Sequence, residues 1–284
     1  MERFNLRTLG PLETKVVLTL REQGRKTVDL KDIQSLVGKG NATRNVIQRL
    51  THKGWMTRLR RGRFLLLPPE YGPENLGENN LLALATSAQS PSYAGWWSAA
   101  SFHGFTTQMP LTAFVAVRHP ALDREIEGSP VHFVRLTERK FFGFELYPVY
   151  GREVPISSPV KTLIDCLDRP ALAGGATEVV RIASVALAKV SAEEAVDTAI
   201  KFGSKSLMQR LGAICDLIAR PLPAPARERL RASIPKSARS RFGRGQALAG
   251  DIGYLRDWGL YVDAQPRDLL AEIAEAKTDH AHNK

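Results

Sequence analysis

The chain has 284 residues, 43% apolar and 24% charged, which fits a globular chain of about two domains and excludes a wholly disordered or fibrous one. No run approaches the roughly 18 consecutive apolar residues of a membrane helix, and Met1-Glu2-Arg3-Phe4-Asn5-Leu6 lacks the apolar core of a secretion signal, so a cytoplasmic protein with no membrane partner is expected. The net charge is +11 and unevenly spread: residues 1–70 hold 15 Lys/Arg and 6 Asp/Glu, and the rest hold 25 and 23. A small basic unit on a nearly neutral body points to a polyanion-binding module joined to something else.

In chain order, Leu12, Val16, Val17 and Leu20 recur at helical spacing and Gly24 closes that first helix. Asp29 caps a short second helix whose Leu30, Ile33, Leu36 and Val37 face inward. Gly38-Lys39-Gly40 makes a tight turn, and a third helix starts at Asn41 or Thr43 and ends at Gly54. Two helices joined by a short glycine turn are the helix-turn-helix plan. Trp55–Leu59 and Phe64–Leu67 read as strands around Arg60-Arg61-Gly62-Arg63, a hairpin with glycine at its tip. The segment therefore reads as a winged helix.

On the third helix Ala42, Val46 and Leu50 are expected to face inward. Arg44 and Gln48 then point away, with Asn41 and Thr51 close by and Asn45 on the flank. Arg, Asn and Gln form paired hydrogen bonds to base edges in the major groove. Arg49 and Lys53, nearer the buried side, suit phosphate contact, and the wing arginines suit the minor groove or backbone.

Pro68-Pro69-Glu70-Tyr71-Gly72-Pro73-Glu74-Asn75 continues neither helix nor central strand and reads as a linker. The expected organisation is thus a winged helix-turn-helix over 1–70 and a larger mixed α/β domain over 76–284, helix-rich from about 159. Together they make an α+β protein with each part folding around its own core.

In the body, Tyr93–Thr106 reads as a tightly packed helix stopped at Gly104, with Trp96 and Phe102 in the core and the polar ends of Tyr93 and His103 near a surface. Ala113–Val117 and Val131–Val134 read as strands. Ser158 and Pro159 begin a helix that buries Leu163, Ile164 and Leu167, while Lys161, Asp165 and Asp168 need partners or water. Cys166 and Cys215 sit among aliphatic residues and read as buried thiols. A second basic loop spans 220–244, with Arg220, Arg227, Arg229, Arg231, Lys236, Arg239, Arg241 and Arg244 against Glu228 alone, and its arginines are expected to add phosphate contacts.

No catalytic constellation stands out. The six histidines (His52, His103, His119, His132, His280 and His282) show no zinc spacing, and there is no phosphate loop, nucleophile elbow or dinucleotide fingerprint. Glu275-Ala276-Lys277 with Asp263 or Asp268 upstream loosely echoes a metal-dependent nuclease element, but the periodicity of Leu269, Leu270 and Ile273 favours an ordinary amphipathic helix. The expectation is a non-enzyme that holds neither metal nor cofactor.

Three stretches carry a family resemblance. They are Trp55…Arg61-Gly62-Arg63-Phe64-Leu65-Leu66, then Tyr93…Trp97-Ser98-Ala99…His103-Gly104, then Pro159-Val160-Lys161-Thr162-Leu163-Ile164-Asp165-Cys166-Leu167-Asp168-Arg169-Pro170 followed by Gly174-Gly175, with a weaker echo at Trp258-Gly259-Leu260. In this order the chain resembles the AbiEi antitoxins of type IV toxin–antitoxin systems. The resemblance implies an autorepressor that binds inverted repeats in its own promoter, a monomer in solution, whose C-terminal domain opposes a cognate nucleotidyltransferase-like toxin. Carried over by position, the contacts to double-stranded DNA are Asn41, Thr43, Arg44, Asn45, Gln48, Arg60, Arg61 and Arg63. The alternative is a stand-alone winged-helix regulator with a ligand-sensing body.

Overall fold

A computed structural model describes residues 8–25, 27–67, 80–149 and 152–270. The linker at 68–75, the terminal histidines His280 and His282, and the Glu275-Ala276-Lys277 element lie outside the described residues. The fold is α+β. It begins with α1 (Pro11–Glu22), β1 (Thr27–Asp29), α2 (Leu30–Val37), α3 (Asn41–His52), β2 (Met56–Arg60) and β3 (Arg63–Leu66). The three strands form an antiparallel sheet in the order β1-β3-β2. Strand β1 has no counterpart among the predicted elements: it is three residues long, and its pairing of Val28 with Phe64 is remote in sequence.

Local chemistry explains the boundaries. Pro11 opens α1, and Gly24, at φ +67°, follows its last turn. In α2 the Asp29 backbone N–H donates to Asp32 Oδ2 at 2.8 Å, an acidic cap on the first turn. Val16, Val17, Leu20, Ile33, Val46, Leu50, Met56, Phe64 and Leu66 form one core. Leu12, expected there, is half exposed.

The body begins with α4 (Leu81–Ala88), β4 (Ser92–Ala94) and α5 (Trp96–Phe102). The predicted Tyr93–Thr106 helix is thus a short strand and then a helix, with Gly104 at φ +66° after it. Next come β5 (Ala113–Val117), β6 (Arg124–Ile126), β7 (Ser129–Arg135), β8 (Phe144–Val149) and β9 (Arg152–Ser157). With β4 they make a mixed six-stranded sheet in the order β6-β7-β5-β4-β9-β8. Helices α6 (Pro159–Asp168), α7 (Gly175–Ala186), α8 (Ala192–Phe202), α9 (Lys205–Leu217) and α10 (Ala224–Ala232) follow, then β10 (Ser240–Gly243), β11 (Gly253–Leu255) and β12 (Leu260–Asp263), a small sheet in the order β10-β12-β11. Cys166 and Cys215 are buried free thiols in the helical core, and burial pushes the Cys215 thiol up to about 12.

The two expected units share apolar contacts. In β3, Phe64 and Leu66 face the helices of the first unit. Leu65, together with Leu59 and Leu67, joins Leu84, Ala85, Ala88, Ala113, Val115 and Val131 of the body in a single core. Thr57 Oγ1 also donates to Glu127 Oε1 at 3.0 Å, at the β6–β7 turn. The expected pair of separate cores is therefore corrected: the second face of the hairpin is packed on α4 and the large sheet.

Candidate nucleic-acid interface

The first unit builds its polar face from α3. Gly38 (φ +85°) and Gly40 (φ +88°) turn the chain from α2 into α3, a backbone region costly for side-chain-bearing residues. Thr43 closes the turn: its hydroxyl donates to the Gly38 carbonyl, and the residue is buried. Thr43 is therefore a structural residue and not a base contact, which corrects the carried-over set.

The same observation rotates the helix. Thr43, Val46 and Leu50 are buried and Ile47 half-buried, whereas Ala42 is exposed. At about 100° per residue the stripe opposite that core face is Asn41, Asn45, Gln48 and His52, all exposed. Arg44 and Arg49 are exposed on its two flanks. Asn45 thus moves from the flank to the centre, Arg44 makes the opposite move, and His52, not chosen from the sequence, joins the stripe. Asn45, Gln48, Arg49, His52 and Lys53 line one surface depression. Lys53 is not free for phosphate, because its Nζ lies 2.6 Å from Glu13 Oε2. Burial alone would raise the Glu13 pKa, but the hydrogen bonds from Lys53 and from the Gly10 N–H, with the nearby charges of Lys53 and Arg49, hold it below the ordinary carboxylate value.

The β2–β3 hairpin is short and braced. Arg60 pairs with Arg63 across the turn, and Gly62 takes φ +77°. The Gly62 carbonyl accepts from the Leu30 N–H at 2.7 Å, which pins the hairpin tip to the start of α2. Arg61 is exposed and Arg63 half-buried; the Arg60 side chain lies outside the described residues. Arg58 on β2 is a further exposed cation that the sequence reading did not choose. No acidic residue occupies the first turn of α3, so the positive end of its helix dipole is uncompensated there.

The 220–244 segment differs from expectation. It is not an open basic loop but includes α10 and β10, and acids distant in sequence neutralise much of it. Arg227 meets Asp216 at 2.6 Å and Asp257 at 3.2 Å, Arg229 pairs with Asp197 and Glu193, Arg241 with Asp263 at 2.8 Å, and Arg244 with Asp251 at 2.5 Å.

The two body segments singled out in the sequence meet inside the protein. Tyr93 is fully buried, contrary to expectation, and its OH accepts from Lys161 Nζ at 2.7 Å and donates to Asp165 Oδ2 at 3.2 Å. Lys161 and Asp165 form an ion pair, both wholly buried. Burial pushes the Lys161 pKa down and that of Asp165 up, while each attracts the other back toward its charged form. His103 Nε2 donates to the Ser157 carbonyl at 2.7 Å, joining the end of α5 to the end of β9. Trp96 is buried as expected, whereas Phe102 is 36% exposed. Tyr93, Lys161 and Asp165 thus link β4 to α6 inside the protein. Among the described residues no cluster of three or more His, Cys, Asp or Glu is placed to hold a metal ion, and no helix is long and apolar enough to cross a membrane.

The fold is similar to that of the RV2827C protein from Mycobacterium tuberculosis, known from its crystal structure. The TM-score is 0.59 and the identity 19%, over 94% of this chain and 96% of that one. At that identity the likeness concerns the fold alone. No family model and no curated protein matches the chain.

Proposed function

We propose that the protein is a transcriptional autorepressor whose N-terminal winged helix reads inverted repeats in duplex DNA, and that its body opposes a nucleotidyltransferase-like toxin, as the resemblance to AbiEi antitoxins implies. The observation that carries the DNA reading is the Asn41, Asn45, Gln48 and His52 stripe, flanked by Arg44 and Arg49 and set beside an arginine-bearing wing. Asn and Gln match adenine edges, Arg matches guanine, and a wing cation needs only phosphate or a narrow minor groove. In this reading the protein performs no catalysis and uses no cofactor.

Fluorescence anisotropy on the chain's own promoter repeat tests it. Gln48→Ala and Arg44→Ala should each weaken specific binding by about 1–3 kcal/mol, the worth of one base-edge contact. Replacing Arg60, Arg61 and Arg63 together should weaken binding to every duplex and flatten the log–log salt dependence by up to about three units. Folded variants that bind as wild type would end the DNA reading. The antitoxin reading is checked separately, by co-expression with the product of the neighbouring gene and scoring of growth.

One observation favours the second reading, a ligand-sensing body. A cavity of about 520 Å³ opens between α4, α5, the 109–113 loop and β8, lined by Leu81, Leu82, Phe102, Met109, Pro110 and Val149 among others. That volume suits a small apolar ligand, and release of the operator by such a compound without any toxin would favour this reading over the first.

A further inference from the structure

The small C-terminal sheet has one face in the core and one in water. Phe242, Leu260 and Val262 point inward. On the other face the strand register places Arg241, Tyr261 and Tyr254 in a single row across β10, β12 and β11. Tyr254 and Tyr261 are 39% and 38% exposed, with ring centroids 4.6 Å apart. The Arg241 guanidinium lies 5.3 Å from the Tyr261 ring centre, and Arg239, two residues earlier on β10's approach, lies 5.7 Å from that of Tyr254. An isolated exposed tyrosine needs no explanation, but two in contact with arginines over both form a surface of flat faces.

Tyr254 also lines a cleft of about 400 Å³ beside this row. Arg231, Lys236, Arg239 and Arg256 line it too, against the single acid Asp257. Asp263 holds Arg241 by two hydrogen bonds of 2.8 Å, so that guanidinium is fixed in place and largely neutralised. Arg239 instead donates to the carbonyls of Lys236 and Ala238 and meets no acid among the described residues. Exposed ring surface therefore sits next to positive charge.

We propose that this face binds single-stranded nucleic acid, with a base packed against the exposed part of the Tyr254–Tyr261 pair and the phosphates running along Lys236, Arg239 and Arg256. Stacking on aromatic side chains beside a cationic groove is how unpaired strands are held without sequence preference. A duplex hides its base faces and cannot use the rings. An acidic peptide would use the charge and leave the tyrosines unoccupied. The surface is separate from α3 and the wing, so its failure and that of the promoter reading are distinguishable.

The full chain is titrated against short labelled oligouridylate and oligothymidylate, and against its promoter duplex. Tyr254→Ala with Tyr261→Ala should weaken single-strand binding at least about tenfold and leave duplex binding unchanged. Tyr254→Phe with Tyr261→Phe keeps the rings and should bind within about twofold of wild type, since stacking needs no hydroxyl. Arg44→Ala with Gln48→Ala should leave single-strand binding intact. Binding of either probe supports the site, and oligodeoxyuridylate, which differs from oligouridylate in the sugar alone, shows whether the 2′-hydroxyl matters. Failure of the wild-type chain to bind either probe overturns the proposal. So do single-strand binding that survives loss of both rings, loss in the Phe variant equal to that in the Ala variant, and loss caused by the α3 variant.

Discussion

Lys161→Met tests the buried ion pair of α6, which the Tyr93 hydroxyl ties to β4. Lys161 Nζ meets Asp165, the Tyr93 hydroxyl and the faces of Phe142 and Phe202, at 5.5 and 5.1 Å from their centres, with no solvent contact. Methionine nearly matches the lysine stem in volume, so the packing change is small and the electrostatic one dominates. Removing one partner of a buried pair costs about 3–5 kcal/mol, because the other charge stays buried. In a chain of this size that is a fall in Tm of very roughly 6–20 °C. The loss should depend on pH in a particular direction. Without its cation, the Asp165 carboxyl titrates in the folded state above its unfolded value. Relative to wild type the variant is then least destabilised in acid and loses ground as pH rises from the unfolded carboxyl range through the raised folded value. Lys161→Met with Asp165→Asn removes both charges and should cost clearly less than the sum of the single changes, by at least about 1.5 kcal/mol. Urea unfolding followed by tryptophan fluorescence at several pH values measures all of this. Additive losses, or a pH-independent Lys161→Met defect, would refute the claim that a charged pair occupies this position.

Two further substitutions probe the scaffold. At Gly212 an added methyl would overlap the Trp258 ring, so Gly212→Ala should destabilise by about 1–3 kcal/mol despite the better helix propensity of alanine, and a neutral or stabilising result by thermal melting would contradict the packing. Glu13 has a lowered pKa, so its contribution is present above the unfolded carboxyl range and lost as pH falls through the folded value; Glu13→Gln should cost about 1–3 kcal/mol near neutrality and converge on wild type in acid, and a constant difference across pH would count against the Lys53 pair.

What could be read from the sequence was local. Glycines at 40, 54 and 62, and the Ser158-Pro159 cap, mark boundaries because their backbone requirements are set within a few residues. Apolar periodicity places the inward face of α3 one residue away from where it lies. Ala42 is apolar and Thr43 is not, but the Thr43 hydroxyl finds the Gly38 carbonyl and so can be buried. Tyr93 was expected near the surface for the same reason. The partners of its hydroxyl, Lys161 and Asp165, are 68 and 72 residues away. The 220–244 arginines looked unopposed because their acids, such as Asp216, Asp197 and Asp263, come from other elements.

The shared core has a signal in the sequence. Phe64-Leu65-Leu66-Leu67 is a continuous apolar run, whereas a strand with one wet face alternates. Such a run implies burial on both sides, and Leu65 and Leu67 do pack with α4 and β5 of the body. This bears on how the molecule comes apart. A fully buried leucine contributes about 1.5–3 kcal/mol, and Leu59, Leu65 and Leu67 each bury at least part of that against the body. Cutting the chain after residue 67 would expose them on the sheet that carries the wing. The isolated unit should therefore be less stable than in the full protein, self-associate, and, on the proposed reading, bind operator more weakly for want of an ordered hairpin, even though every α3 side chain is present. Leu67→Ser in the full chain applies the same stress without a cut. If the shared core is real, it should lower the melting of both parts in a single calorimetric transition. Two well-separated transitions, with only one of them moved by Leu67→Ser, would mean that the units fold independently and that the contact at Leu59, Leu65 and Leu67 contributes little.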